Sequence, residues 1–164
     1  IAAWYAALVS KRTPTAIVLT RQNLPQLDGS GKKALKGGYI IKEASKAAPD
    51  MILIASGSEV SLAIDAAKEL ESECIATRVV SMPCTDVFEN QSREYKEEVL
   101  PKAVRNRVAI EALSGFGWDK YTGLDGRVIS MNSFGASAPQ DQLFKKFGFT
   151  KENVVATAKE VLNQ

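Results

Sequence analysis

The chain contains no histidine in its 164 residues. Histidine is the side chain that titrates closest to neutral pH and the commonest general acid or base. Its absence excludes Ser–His and Cys–His nucleophile pairs from this polypeptide, although other side chains remain able to do chemistry. Cysteine is nearly as scarce. Cys74 and Cys84 are the two in the sequence; they lack Cys-x-x-Cys spacing, and no histidine can join them on a metal. So few thiols fit a reduced, cytoplasmic compartment better than a disulfide framework. No apolar run is long enough to span a bilayer, and no basic-then-apolar segment opens the sequence, so nothing points to a membrane. A surplus of one charge is missing too. Lysine and arginine number 21 against 19 acids, and a net charge of +2 is too small to indicate a nucleic-acid partner. Along Arg93–Glu98 the signs alternate, as on a solvated helix face.

What is present is a core. Hydrophobic residues make up 45% of the chain, enough for one domain with some length left over. Met51 to Ala55 is continuously apolar, as in a strand buried on both faces. Gly57 breaks the run, and Ser56-x-x-Glu59 has capping-box spacing for a helix start. Val60, Ile64, Ala67 and Leu70 then recur at helical steps with charged residues between them, one stripe lying over a sheet. Thr77–Ser81 is a second buried run, so the stretch predicts a βαβ unit with parallel strands. Further strands are expected at Gly37–Glu43, short and at an edge, at Arg107–Glu111 and at Arg127–Ser130. Helical segments are expected at Val87–Glu98, at Asp141–Phe147, within Gly115–Gly123, and from Thr150 onward with Val154, Val155, Ala158, Val161 and Leu162 inside. The fold class is therefore α/β, a three-layer α/β/α domain with a mostly parallel sheet.

The first residues belong to something else. Ile1 to Arg12 reads as a helix already under way, without a capping residue ahead of it, stopped by Pro14. Ala16–Leu19 is a short apolar strand. Together they look like the last helix and strand of an upstream α/β domain, and the chain reads as a piece of a longer protein. Thr20, Arg21, Gln22 and Asn23 would sit at the carboxyl end of that strand, where open α/β sheets place ligands. A guanidinium there is suited to gripping a phosphate bidentately, although a structural ion pair explains many such arginines.

Nucleotide motifs fail. Gly29-Ser-Gly-Lys32 lacks both the earlier glycine, where Gln26 stands, and the following Ser or Thr, where Lys33 stands, so a hinge is the better reading than a P-loop. Gly57 is alone after its strand, and Gly115-x-Gly117 has Lys120 where a third glycine belongs. The helix start at Ser58 could receive an anion, but most helix starts hold only water or their own cap. Glu111, at a strand end beside it, receives no role.

Several blocks in order carry a likeness to a known family. Ile17-Val-Leu-Thr-Arg-Gln-Asn-Leu-Pro25, Gly37-Gly-Tyr39, Ile54-Ala-Ser-Gly-Ser-Glu-Val60, Arg78-Val-Val-Ser-Met-Pro83 and Val99-Leu-Pro101 resemble the carboxyl-terminal part of the transketolases. So do Trp118-Asp-Lys-Tyr121, Phe134-Gly-Ala-Ser-Ala-Pro139 and Phe147-Gly-Phe-Thr-Lys-Glu-Asn-Val154, which extend the resemblance over essentially the whole chain. It implies a thiamine-diphosphate enzyme, with Mg or Ca, that moves a two-carbon ketol unit from ketose phosphates to aldose phosphates in the pentose phosphate pathway. It also implies a homodimer whose active site is built mostly upstream of Ile1, so that this piece alone is inactive and binds no cofactor. Residues 1–24 would finish the pyrimidine-binding domain, 25–36 would be linker and 37–164 the family's C-terminal domain, which contributes to subunit packing. One functional residue carries over, Arg21, which in the family helps hold the sugar phosphate. The hydroxyl residue before it is commonly serine and is Thr20 here. Two rivals stand beside this reading: the C-terminal domain of another thiamine enzyme, such as a deoxyxylulose-phosphate synthase or a 2-oxoacid dehydrogenase β subunit, and a stand-alone ligand-sensing or interaction module. The Phe134–Pro139 and Phe147–Thr150 blocks argue against the first.

Overall fold

Met51–Ala55 (β2) is the middle strand of a five-stranded sheet in the computed structural model, which describes residues 1–163. The sheet order is β1-β3-β2-β4-β5, with β1 at Tyr39–Lys42, β3 at Thr77–Ser81, β4 at Arg107–Glu111 and β5 at Arg127–Ser130. β2, β3, β4 and β5 are mutually parallel, and β1 closes one edge antiparallel to β3, with a register irregularity between Ile40 and Lys42. The expected mostly parallel α/β/α arrangement is observed, since helices cover both faces.

The two faces divide by residue parity, as the strand pleat requires. Met51, Leu53 and Ala55 of β2, with Val79, Val108, Ile110 and Ile129, face the helices Glu59–Ser72 (α2) and Lys151–Leu162 (α7, last in chain order). Ile52, Ile54, Val80 and Ala109 face the other way, onto Phe88, Val99, Trp118 and Tyr121. That second layer comes from three short helices, Thr85–Glu89 (α3), Arg93–Val99 (α4) and Asp119–Thr122 (α5). A further helix, Gln140–Lys146 (α6), precedes α7, whose N-terminus is capped by the Thr150 hydroxyl accepting from the Asn153 N–H at 3.3 Å. α7 buries Val154, Val155, Ala158 and Val161, while Leu162 is only partly buried.

Four expectations are corrected. The expected helix at Val87–Glu98 is two, α3 and α4, because Phe88 turns into the core and Ser92 starts a new helix by accepting from the Tyr95 N–H at 3.2 Å. The Ser56–Glu59 capping box does not form. α2 starts from Ser58, whose hydroxyl donates to Glu59 instead, and Ser56 is drawn to a distant carboxylate described below. Ala16–Leu19 is not a strand in the described chain: no described strand pairs with it, and an unpaired extended segment has no ladder to hold it. Val18 is 92% and Leu19 74% exposed there. The opening helix is real but shorter than expected, Ala2–Val9 (α1), and it has no buried residue.

Glu71, near the end of α2, ties the sheet edge to its helix. One carboxylate oxygen accepts the N–H groups of Ser45 (3.0 Å) and Thr77 (2.9 Å) and lies 3.5 Å from the Lys42 ammonium. Burial works to raise its pKa, but these donors outweigh it and hold the group at about 2, against an ordinary 4.5. A folded-state pKa below the unfolded one adds stability that is full above about pH 4.5 and lost as pH falls toward 2. We therefore expect the stability difference between the native chain and Glu71→Gln to be constant near neutrality and to shrink below pH 4.5. Chemical denaturation at a series of pH values measures it, and a difference independent of pH would contradict this account.

Candidate functional site

The connections of the sheet diverge at its centre. From β2 the chain crosses through α2 to β3 on one side, then through α3 and α4 to β4 on the other side of β2. A doubly wound sheet leaves a crevice outside the carboxyl ends of its strands at such a switch point. Here the crevice is about 380 Å³. Its floor is Ser56 after β2 and Glu111 at the end of β4, with Met82 after β3, and Phe116, Trp118 and Tyr121 form one side.

Ser56 and Glu111 meet across that switch point. The Ser56 hydroxyl donates to Glu111 Oε2 at 2.9 Å, and the Leu113 N–H donates to Oε1 at 3.2 Å. Beneath them Glu59, 3% exposed, accepts from the Ser58 hydroxyl and from the Ala112 N–H at 3.4 Å. Burial pushes the Glu59 carboxyl above its ordinary pKa; the two hydrogen bonds oppose this, and the nearby Glu111 charge adds to the rise. With two carboxylates at the start of α2, an anion there would meet repulsion, so the anion site considered at Ser58 is disfavoured. On the opposite wall the Tyr121 phenol is pushed up by burial first and then by its hydrogen bond to Glu89. Trp118 and Tyr121 pack edge to face with centroids 5.9 Å apart. Sequence reasoning placed Glu111 at a strand end beside the start of α2 without assigning it a role, and it missed the link to Ser56. The legible signal was a polar residue ending each of two adjacent apolar strands.

The nucleotide motifs are absent as geometry. Gly29–Lys32 leads into a single 3₁₀ turn, Lys32–Lys36, rather than an α-helix whose N–H groups could cradle a phosphate. Among the described residues no group of three or more His, Cys, Asp or Glu side chains is placed to hold a metal, and no helix is long and apolar enough to cross a membrane.

Arg21 lies far from this crevice in sequence, in the segment between α1 and the 3₁₀ turn, and is exposed. The Thr20 hydroxyl donates to the Gln22 carbonyl at 3.2 Å and shapes the turn around it. Among the described residues the Arg21 guanidinium has no hydrogen-bond or ion-pair partner. Arg21 is not among the residues that line the crevice.

Comparison with known proteins places this architecture. Residues 37–150 match the family model described as the transketolase-like TK C-terminal domain. The chain is 53% identical to transketolase 2 of Pasteurella multocida over 98% of its own length and 25% of that protein. It is 52% identical to the transketolase of Bacillus subtilis over 99% of its length and 25% of that protein. Among solved structures, the transketolase of Leishmania mexicana superposes with a TM-score of 0.91 at 44% identity, over 99% of this chain and 23% of that one. A Pichia stipitis transketolase in complex with sedoheptulose-7-phosphate superposes at 0.90 with 45% identity, over 99% and 23%. The chain thus spans about a quarter of the length of the relatives it matches.

Proposed function

Because the chain belongs to the transketolase family through that family's C-terminal domain, we propose that it is the C-terminal part of a transketolase. The whole enzyme would transfer a two-carbon ketol unit from ketose phosphates to aldose phosphates in the pentose phosphate pathway, as a cytoplasmic homodimer. Residues 1–24 complete the upstream pyrimidine-binding domain, 25–36 link the two, and 37–164 are the C-terminal domain. Several features support this division. The family match begins at residue 37, where the 3₁₀ turn ends on Gly37. α1 (Ala-Ala-Trp-Tyr-Ala-Ala-Leu-Val) carries no charge and buries nothing, with Leu8 81% exposed. A helix apolar all round is made to be covered, and polypeptide outside this chain would cover it together with Val18 and Leu19.

Thiamine diphosphate and its Mg or Ca ion belong to the whole enzyme in this reading. The residues of this segment do not fit them: no metal-holding cluster is assembled among those described, and the starts of α2 and α7 carry carboxylates or their own cap. What the segment supplies is Arg21. Its planar guanidinium offers paired N–H donors that match two phosphate oxygens. The observation carrying this role is that the group is exposed and unpaired, on a turn next to apolar chain that awaits a cover. The sugar-phosphate complex of the Pichia stipitis relative supports a phosphorylated substrate.

In the full-length enzyme, Arg21→Ala should lower kcat/KM for a phosphorylated ketose about thirtyfold, mostly through KM, as expected for loss of about 2 kcal/mol of charge-assisted hydrogen bonding. Steady-state kinetics with an unphosphorylated ketose serve as the control and should change less than about twofold. An unchanged KM for the phosphosugar would remove Arg21 from the site.

A further inference from the structure

The crevice at the switch point is not used by the function proposed above, and its chemistry is specific. None of its lining residues is a lysine or arginine. Glu111 makes no ion pair among the described residues, and its two hydrogen bonds come from a neutral hydroxyl and an amide. A carboxylate offers about four lone-pair positions, so each of its oxygens can accept again. The nearest lysine on the aromatic side, Lys120, is already held by Glu89 at 2.9 Å. Glu59 adds a second acidic group behind Glu111, and their mutual repulsion is part of what raises the Glu59 pKa. The crevice is therefore electronegative and lacks a cation.

Its other wall is aromatic. Trp118 and Tyr121 are buried at 7% and 6% exposure, whereas Phe116 is 95% exposed at the rim. An aromatic face beside a carboxylate favours a cation on an apolar body, because the ring quadrupole and the negative charge attract the same ligand. The volume of about 380 Å³ suits a small molecule, near the lower end of common ligand pockets.

We propose that this crevice binds a small organic amine, a protonated primary amine carried on a flat apolar body, with Glu111 as its counter-charge and Phe116, Trp118 and Tyr121 as its walls. The ammonium donates to the free lone pairs of Glu111, and the apolar body lies along the aromatic side, displacing water from Phe116. Sugar phosphates are disfavoured here by the same two carboxylates, so the crevice does not compete with Arg21 for substrate.

The test is calorimetric titration of the full-length enzyme with tryptamine, with indole-3-ethanol as its neutral counterpart and indole-3-acetate as its anionic one. Tryptamine should bind, indole-3-ethanol about tenfold or more weakly, and indole-3-acetate not measurably. Glu111→Gln keeps an oxygen to accept from Ser56, and its melting temperature verifies the fold. It should bring tryptamine down to the affinity of indole-3-ethanol and leave the latter within about twofold. Phe116→Ala, at an exposed position that cannot unfold the domain, should weaken both. Cys84, exposed at the crevice mouth, gives a second readout: tryptamine should slow its alkylation by iodoacetamide in the native enzyme and not in Glu111→Gln, as read on the Cys84 peptide by mass spectrometry. Absence of tryptamine binding at millimolar concentration, equal binding of the neutral probe, or an unchanged affinity in Glu111→Gln would each overturn the proposal.

Discussion

Gly37→Ala is expected to destabilise the chain by about 4 kcal/mol, one of the largest effects open to a single added methyl group. The position combines two costs. Its φ of +80° lies in the left-handed region that L side chains avoid. A Cβ built there would also fall inside the contact distance of the Phe88 amide nitrogen and the Cys84 carbonyl oxygen, with Val87 C next in line. These are backbone atoms of α3 and of its N-cap residue Cys84, and they cannot rotate aside. The same glycine receives the N–H of Cys84 on its carbonyl at 2.9 Å and donates its own N–H to Ala34 at 3.0 Å, so any shift loosens both the 3₁₀ turn and α3. In a chain of this size the loss corresponds to a fall in melting temperature of about 10 °C. Gly57→Ala, where φ is +51° but nothing lies within 4 Å, should cost about 1 kcal/mol. Gly135→Ala, with ordinary φ and open space, should be nearly neutral. Thermal unfolding of the three variants orders them, and a Gly37→Ala chain as stable as Gly135→Ala would show that the close packing against α3 is not maintained.

The contrast between those glycines shows where the sequence was legible. β2 could be read from its apolar run, because a strand buried on both faces favours apolar residues along its length, and Met51–Ala55 is buried throughout; β3, β4 and β5 were read from shorter apolar centres, Val79–Val80, Val108–Ile110 and Val128–Ile129, between polar ends. α7 was read from its stripe and from Thr150, whose side chain does cap it. The local signal at Ser56 misled because capping competes with any better acceptor. Glu111, 55 positions away in sequence, took the hydroxyl, and such a partner is invisible until β2 and β4 lie side by side. Val87–Glu98 misled for a similar reason: its helical composition is continuous, but the burial of Phe88 forces a turn before Ser92. Ala16–Leu19 has strand composition without strand neighbours in the described chain, and composition does not create a ladder. The crevice was half legible. A polar residue ended each of two adjacent strands, but the absence of any compensating cation is a property of the folded arrangement.

The second large effect is complete loss rather than a shift. Residues 1–164 alone are expected to show no two-carbon transfer and no affinity for thiamine diphosphate. The chain has no histidine for proton transfer, no metal-holding cluster among its described residues, and a length about a quarter of the transketolases it matches. The positioning that converts binding energy into rate requires reacting groups held together within a few ångströms. Here Arg21 stands alone, on chain whose neighbours α1, Val18 and Leu19 are uncovered. An arginine that grips a phosphate, the role proposed for Arg21, would add affinity for substrate but has nothing of its own to react with it.

The most direct measurement compares the purified 164-residue chain with the full-length protein that carries it, in one transfer assay from a phosphorylated ketose to an aldose phosphate. Calorimetric titration with thiamine diphosphate and Mg²⁺ accompanies it. The full-length protein should turn over and bind the cofactor, and the chain alone should do neither. Turnover of phosphosugars, or tight cofactor binding, by the isolated chain would contradict the account.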